Sequence, residues 1–207
     1  MEPEVIDARE VRAKARRPKQ KSDRRDAFEI CDGLRRGIYS SIVHIPPAET
    51  RKLREALQQR RHFVRLKSGQ MSAVKYMLRS KGLRRLYRSL KTDVAWEHIL
   101  REPEIPEETK EYIRMHYQIW SSGKLQVEEI ERKIEDLKHP YKESAKRLQR
   151  VPGVGPITAL TTLAVLSDVS RFPTMKHAAS YVGIVPQTYN SGDRKNRTGR
   201  ITKRGSA

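Results

Sequence analysis

Residues Val151 to Gly205 read VPGVGPITALTTLAVLSDVSRFPTMKHAASYVGIVPQTYNSGDRKNRTGRITKRG. With the residues just before it, the opening becomes LQRVPGVGPITA, Leu148 to Ala159. Gly153 and Gly155 allow a tight turn between two helices, and Pro156 suits the first position of the second, where its missing N–H costs nothing. Leu148, Val151, Ala159 and Leu160 supply apolar flanks for packing. This is the pattern of a helix-hairpin-helix. Its second helix start would present backbone N–H groups to a phosphate without reading sequence. The competing reading is an ordinary structural turn.

Downstream, Asn190 to Arg204 reads NSGDRKNRTGRITKR, with Arg194, Lys195, Arg197, Arg200, Lys203 and Arg204 set against Asp193. Two readings stay open. One is a solvated basic loop touching phosphate, in which Ser191-Gly192 is a turn dipeptide. The other takes Ser191 as a nucleophile on a phosphodiester, with the cations stabilising the developing charge.

The charge extends over the whole chain: 44 Lys and Arg against 25 Asp and Glu, net +19 on 207 residues. That balance implies an anionic polymer as partner, through counterion release. Cys31 is the single cysteine, which excludes an intrachain disulfide framework and a zinc finger built on Cys pairs. The sequence has neither an apolar run of about 20 residues nor a signal-peptide core, and it reads as cytoplasmic with no membrane role.

Upstream lie two long heptad segments. Leu57, Val64, Met71 and Leu78 recur every seven residues within a helix predicted over 48–81, supplemented by Leu53 and Val74 and closed by Gly82. Ile113, Trp120, Val127 and Ile134 do the same over 106–139, joined by Ile130 and Leu137. Each helix would be roughly 50 Å long, and the pair predicts a coiled-coil hairpin that also dimerises. Arg60, Lys67, His116 and Gly123 interrupt the seams. Glu102, Glu104, Glu107, Glu108 and Glu111 sit where negative charge complements a helix dipole.

Before the long helices, Ser22 is the N-cap of a helix expected to end near Gly37, and Ser41–Ile45 (SIVHI) reads as a strand. SDRRDA, residues 22–27, places Asp23 and Asp26 three apart, so both carboxylates share one helical face. They could serve as oxygen ligands for Mg²⁺ or simply favour the helix dipole.

In order, KSDRRDA, the two long helices, VPGVGPITAL, SRFPTMKHAASYVGIVP and NSGDRKNRTGRITKRG resemble the transposases of the insertion-sequence one-ten family. Those proteins join a RuvC-like DEDD nuclease domain to a C-terminal transposase domain. The resemblance implies a mainly α chain with an α+β remnant. Residues 1–46 would be the C-terminal part of the RuvC-like (RNase H-like) domain, 47–140 a coiled-coil connector and 141–207 the transposase domain. It implies that Asp23 and Asp26 are the third and fourth acids of a Mg²⁺ site and that Ser191 forms a covalent serine–DNA link. The expected partners are DNA, a structured element-encoded guide RNA and further copies of the chain.

The family's first catalytic Asp and its Glu have no counterpart here, since Glu2, Glu4, Asp7 and Glu10 lack the strand context. The chain therefore reads as starting inside the nuclease domain and stopping short of a last helix, as an incomplete recombinase unable by itself to cut or join DNA. Residues 1–45 are expected to be the least stable part. The alternative functions are a non-enzymatic helix-hairpin-helix DNA-binding module and a basic RNA-binding protein.

Overall fold

The computed structural model describes residues 5–15, 22–40, 43–83, 85, 90–188 and 198–201. It divides into two units, Met1–Pro47 and Ala48–Ala207, and the described residues are mainly helical.

In the first unit, helix α1 (Ala8–Lys14) is capped by Asp7, whose carboxylate accepts from the Arg9 N–H at 2.8 Å. Helix α2 (Asp23–Arg35) starts at Ser22, whose hydroxyl accepts from Arg25 N–H, as predicted. The Tyr39 ring lies where a Cβ on Gly33 would sit, 2.3 Å from its atoms, while its hydroxyl donates to the Glu29 carbonyl at 2.8 Å. The strand expected over Ser41–Ile45 does not form over 43–45, its described part. Val43 N–H donates to the Val5 carbonyl at 2.7 Å, and Ile6 makes a single bridge. Two short extended pieces cannot build a stable sheet. Among the described residues, no apolar side chain of this unit is buried; Phe28 and Leu34 are 58% and 48% exposed.

The second unit is organised by α3 (Ala48–Ser80) and α5 (Glu107–Leu137), which run antiparallel. Both predicted seams face inward. Leu53, Leu57, Val74 and Leu78 of α3, and Ile113, Trp120, Val127, Ile130 and Ile134 of α5, are all buried. Each such side chain contributes roughly 1.5–3 kcal/mol. The interruptions are matched across the helices. Arg60 pairs with Glu131 at 2.7 Å, and His116 Nδ1 shares a 2.7 Å hydrogen bond with Gln70. The Lys67 stem lies over Gly123, where an added Cβ would be 3.1 Å from Cγ, and its ammonium is 5.6 Å from the Trp120 ring centroid. Helix α3 ends as predicted at Gly82, φ +78°: Leu83 N–H bonds to Leu78 and Gly82 N–H to Arg79, the paired closure a left-handed glycine permits.

Helix α4 (Asp93–Arg101), absent from the sequence reading, begins at Thr92, whose hydroxyl accepts from Ala95 N–H. It buries Trp96 and Ile99 against the α3–α5 pair, with Trp96 Nε1 donating to Leu90 at 3.1 Å. Asp93 anchors it, accepting from Lys124 at 2.6 Å and from the Tyr117 hydroxyl at 3.1 Å.

At the other end of the pair, α6 (Lys142–Leu148) and α7 (Pro156–Leu166) join the core. Ala145, Ala159, Leu160 and Ala164 pack with Leu53, Leu57, Ile130 and Ile134. Helix α8 (Met175–Tyr181) follows, then strands β1 (Pro186–Thr188) and β2 (Thr198–Ile201), paired antiparallel with a register shift.

Candidate nucleic-acid interface

Helix α6 ends at Leu148, and a turn containing Gly153 and Gly155 leads into α7. Gly153 takes φ +86°, a value that L side chains adopt only under strain. Gly155 is the N-cap of α7 and Pro156 its first residue. The first helical bond is Ala159 N–H to Gly155 at 2.9 Å. The N–H groups of Ile157 and Thr158 precede any intrahelical acceptor, and no side chain caps them. A Cβ at Gly153 or Gly155 would meet nothing within 4 Å, so the turn lies open to an approaching ligand.

The packing differs from expectation at one flank. Leu148 and Leu160 are in the core, but Val151 is 53% exposed, and Val154 and Ile157 take the place assigned to it. Val151 is turned out because its N–H closes onto Leu148 and its carbonyl accepts from Val154, a tight turn that aims its side chain at solvent. Cations precede the turn: Lys142, Lys146 and Arg147 on α6 and Arg150 just after it are exposed. Lys146 donates to Glu143 at 3.0 Å and holds that carboxyl below its ordinary range.

The far end of α7 is fixed by groups that sequence reading missed. Arg54 of α3 donates Nε to the Ala164 carbonyl at 2.6 Å and Nη2 to Val165 at 2.9 Å. Arg171 donates to Leu166 at 3.3 Å, its guanidinium carbon 4.1 Å from the Phe172 ring centroid and 4.3 Å from that of Tyr181. Burial pushes the Tyr181 phenol up, but Arg171 and Arg54 beside it outweigh burial and leave it below its ordinary value. Cations belong at a helix C-terminus, where the carbonyls gather partial negative charge. With its C-terminus neutralised from within, α7 turns its uncapped N-terminus outward.

Of the other predicted residues, Arg200 lies exposed on β2. Ser191, Arg194, Lys195, Arg197, Lys203 and Arg204 lie outside the described residues. Asp23 and Asp26 occupy the first turn of α2, both exposed. Among the described residues no three His, Cys, Asp or Glu gather as metal ligands. Two exposed carboxylates do not by themselves make the Mg²⁺ site that the resemblance implies. No helix among the described residues is long and apolar enough to cross a membrane.

These features define a basic helical protein with an open glycine turn at the start of α7. Residues 145–207 match the sequence model described as Transposase IS116/IS110/IS902 family. The chain is 26% identical over 188 residues to the "Putative transposase y4pF/y4sB" of Sinorhizobium fredii, covering 89% of this chain and 47% of that protein. It is 26% identical over 194 residues to the "Transposase for insertion sequence element IS1111A" of Coxiella burnetii, covering 90% and 51%. A third similarity, 36% over 81 residues, is to the "Transposase for insertion sequence element IS1328" of Yersinia enterocolitica, covering 39% and 23%. The chain is thus similar to insertion-sequence transposases along most of its length, and the match to the family model lies in residues 145–207. It spans about half the length of the first two relatives.

Proposed function

We propose that this chain acts as part of an insertion-sequence transposase, gripping DNA through the Leu148–Leu166 helix-hairpin-helix and cleaving and rejoining it through a serine nucleophile. The observation that carries the DNA grip is the uncapped, glycine-opened N-terminus of α7, with Ile157 and Thr158 N–H groups free to receive a phosphate. Such contacts position a duplex without specifying its sequence. The same donors would suit a structured guide RNA.

The chemistry is assigned to Ser191. Its Oγ attacks a phosphodiester phosphorus, the Oγ–P bond forms, and the P–O bond to the departing strand breaks. The serine proton passes to a base or solvent, and the departing oxygen takes up a proton. Arg194, Lys195, Arg197, Arg200, Lys203 and Arg204 would offset charge on the phosphoryl oxygens. Asp23 and Asp26 would bind Mg²⁺ together with further carboxylates, and the metal would polarise the phosphoryl oxygens.

Self-association fits the outer side of α5. Tyr112, Met115 and Ile119, spaced three and four apart as in a second heptad seam, are 52%, 58% and 44% exposed.

The test is a transposition-competent assembly containing this chain, with labelled DNA resolved under denaturing conditions. Ser191→Ala is expected to abolish the covalent protein–DNA band while leaving DNA binding intact. A covalent band that survives the substitution would reject Ser191 as the nucleophile.

A further inference from the structure

The long pair separates its charges. Helix α3 carries nine Lys and Arg against two acids, whereas α5 carries eight acids against five bases. The α3 cations are also ordered. From Arg51 to Arg79, stepping alternately three and four residues, the sequence reads R-R-Q-R-R-S-S-K-R. Steps of three and four follow one face of a helix. The positions of this ladder carry no acidic or apolar residue, and Arg54, Gln58, Lys75 and Arg79 each follow a seam residue by one, so the stripe flanks the buried Leu53–Leu57–Val74–Leu78 seam. Seven of its nine positions are exposed, the exceptions being Arg54 and Lys75, which are half-buried. Arg51, Arg61, Arg65 and Lys75 make no ion pair or hydrogen bond among the described residues.

A merely solvated helix face mixes signs, with acids three or four residues from bases to form local pairs. On α5 that arrangement exists: Lys110 pairs with Glu107 three residues away, and Lys133 with Glu129 four away. Along the α3 stripe the one bordering acid is Glu55, four residues from Arg51, and from Gln58 onward Ser and Gln stand between the cations with no acid beside them. Arg, Lys, Ser and Gln are the side chains that contact phosphate oxygens.

We propose that the basic stripe flanking the α3 seam, Arg51 to Arg79, is a second DNA-binding surface that tracks the phosphate backbone of a duplex. The inference takes its partner from the DNA-binding reading above. The stripe spans roughly 42 Å at 1.5 Å per residue, the length of about 12 base pairs. Its own positions carry no aromatic side chain and the exposed Tyr76 borders only its Arg79 end, so it lacks the succession of rings on which a single strand stacks, which favours duplex. It has the same sign as the cations flanking the hairpin, and α7 is docked on α3 through Leu53 and Leu57.

The experiment is binding of a fluorescent 30-base-pair duplex to the full chain across a salt series. The proteins compared are wild type, the quadruple variant Arg51→Gln/Arg61→Gln/Arg65→Gln/Lys75→Gln, and the corresponding variant with Lys at the three Arg positions. Circular dichroism checks the helicity of each. The Gln variant is expected to lose about 3 to 4 units of log–log salt slope, roughly 0.9 per phosphate contact, and to bind at least about tenfold more weakly. The Lys variant is expected to keep the slope. Wild-type binding with an unchanged slope in the Gln variant overturns the stripe and leaves the hairpin reading standing. Absence of wild-type DNA binding overturns both. Loss of self-association or of RNA-hairpin binding at unchanged DNA slope also overturns the proposal, reassigning the stripe to a second copy's acidic face or to RNA.

Discussion

Arg54 and Ala164 are joined by a 2.6 Å hydrogen bond across 110 residues of sequence, from the guanidinium Nε near the start of α3 to a carbonyl at the end of α7. The second arm reaches Val165, so one side chain terminates α7 and ties it to the long helical pair. Arg54→Met removes two charge-assisted bonds worth roughly 1.5–3 kcal/mol each before compensation by water. The expected loss is about 2–3 kcal/mol in urea unfolding. Arg54→Lys should recover less than half, because an ammonium cannot span both carbonyls.

Gly123 of α5 lies against the Lys67 stem of α3. Gly123→Ala exchanges a helix-propensity gain of about 1 kcal/mol for a methyl 3.1 Å from Lys67 Cγ, which a flexible stem can yield. The expected change in stability is under about 1 kcal/mol. Gly123→Leu cannot be accommodated in that way and should cost more than about 2 kcal/mol. Adding Lys67→Ala should recover part of that loss in a double-mutant cycle.

The Asp93 carboxyl is held below its ordinary value chiefly by the hydrogen bond from Lys124, against a smaller effect of burial. A depressed carboxylate pKa means that this contribution is present above the unfolded value, about 3.9, and is lost as pH falls through the folded one. Asp93→Asn should therefore flatten the acid limb of the melting-temperature profile below about pH 4. An unchanged acid limb would remove Asp93 as its source.

Ser167, at the C-cap of α7, has φ +55° and ψ −114°, a left-handed conformation that favours glycine. Such strain costs on the order of 1–3 kcal/mol. Ser167→Gly is expected to raise stability by about 1 kcal/mol, read as a higher urea midpoint at constant slope.

The Met1–Pro47 unit has no buried apolar side chain among its described residues. Its amides are expected to exchange with solvent well before those of α3 and α5, as hydrogen exchange by residue would report.

The long helices were legible because their seams repeat over many turns, and Leu53, Val74, Ile113 and Trp120 are buried as the heptads required. Even the interruptions have partners, Arg60 with Glu131 and His116 with Gln70, though spacing alone does not pair them. Helix α4 escaped notice because only Trp96 and Ile99 of its nine residues are buried, too few for a period. Its Thr92 cap was the available signal. Strands β1 and β2 are three and four residues long with a register shift, below what alternation can show. In the candidate site, the turn and the start of α7 were readable from Gly153, Gly155 and Pro156, whose roles are local. The Arg54–Arg171–Tyr181 assembly was not, because it depends on chain segments that meet only in the fold.

The most direct test of the account is Gly155→Asp in the full chain, measured for both stability and duplex binding. Asp is a favoured N-cap, and a Cβ at this position meets nothing within 4 Å. The substitution should therefore hold or slightly raise stability, by about a few tenths of a kcal/mol of capping. It would also occupy the Ile157 and Thr158 N–H groups and repel phosphate. The account predicts an intact fold with duplex affinity reduced at least about tenfold, and a smaller reduction for the neutral cap of Gly155→Asn. Unchanged affinity in a fully folded Gly155→Asp protein would contradict the assignment of the α7 N-terminus as the DNA grip.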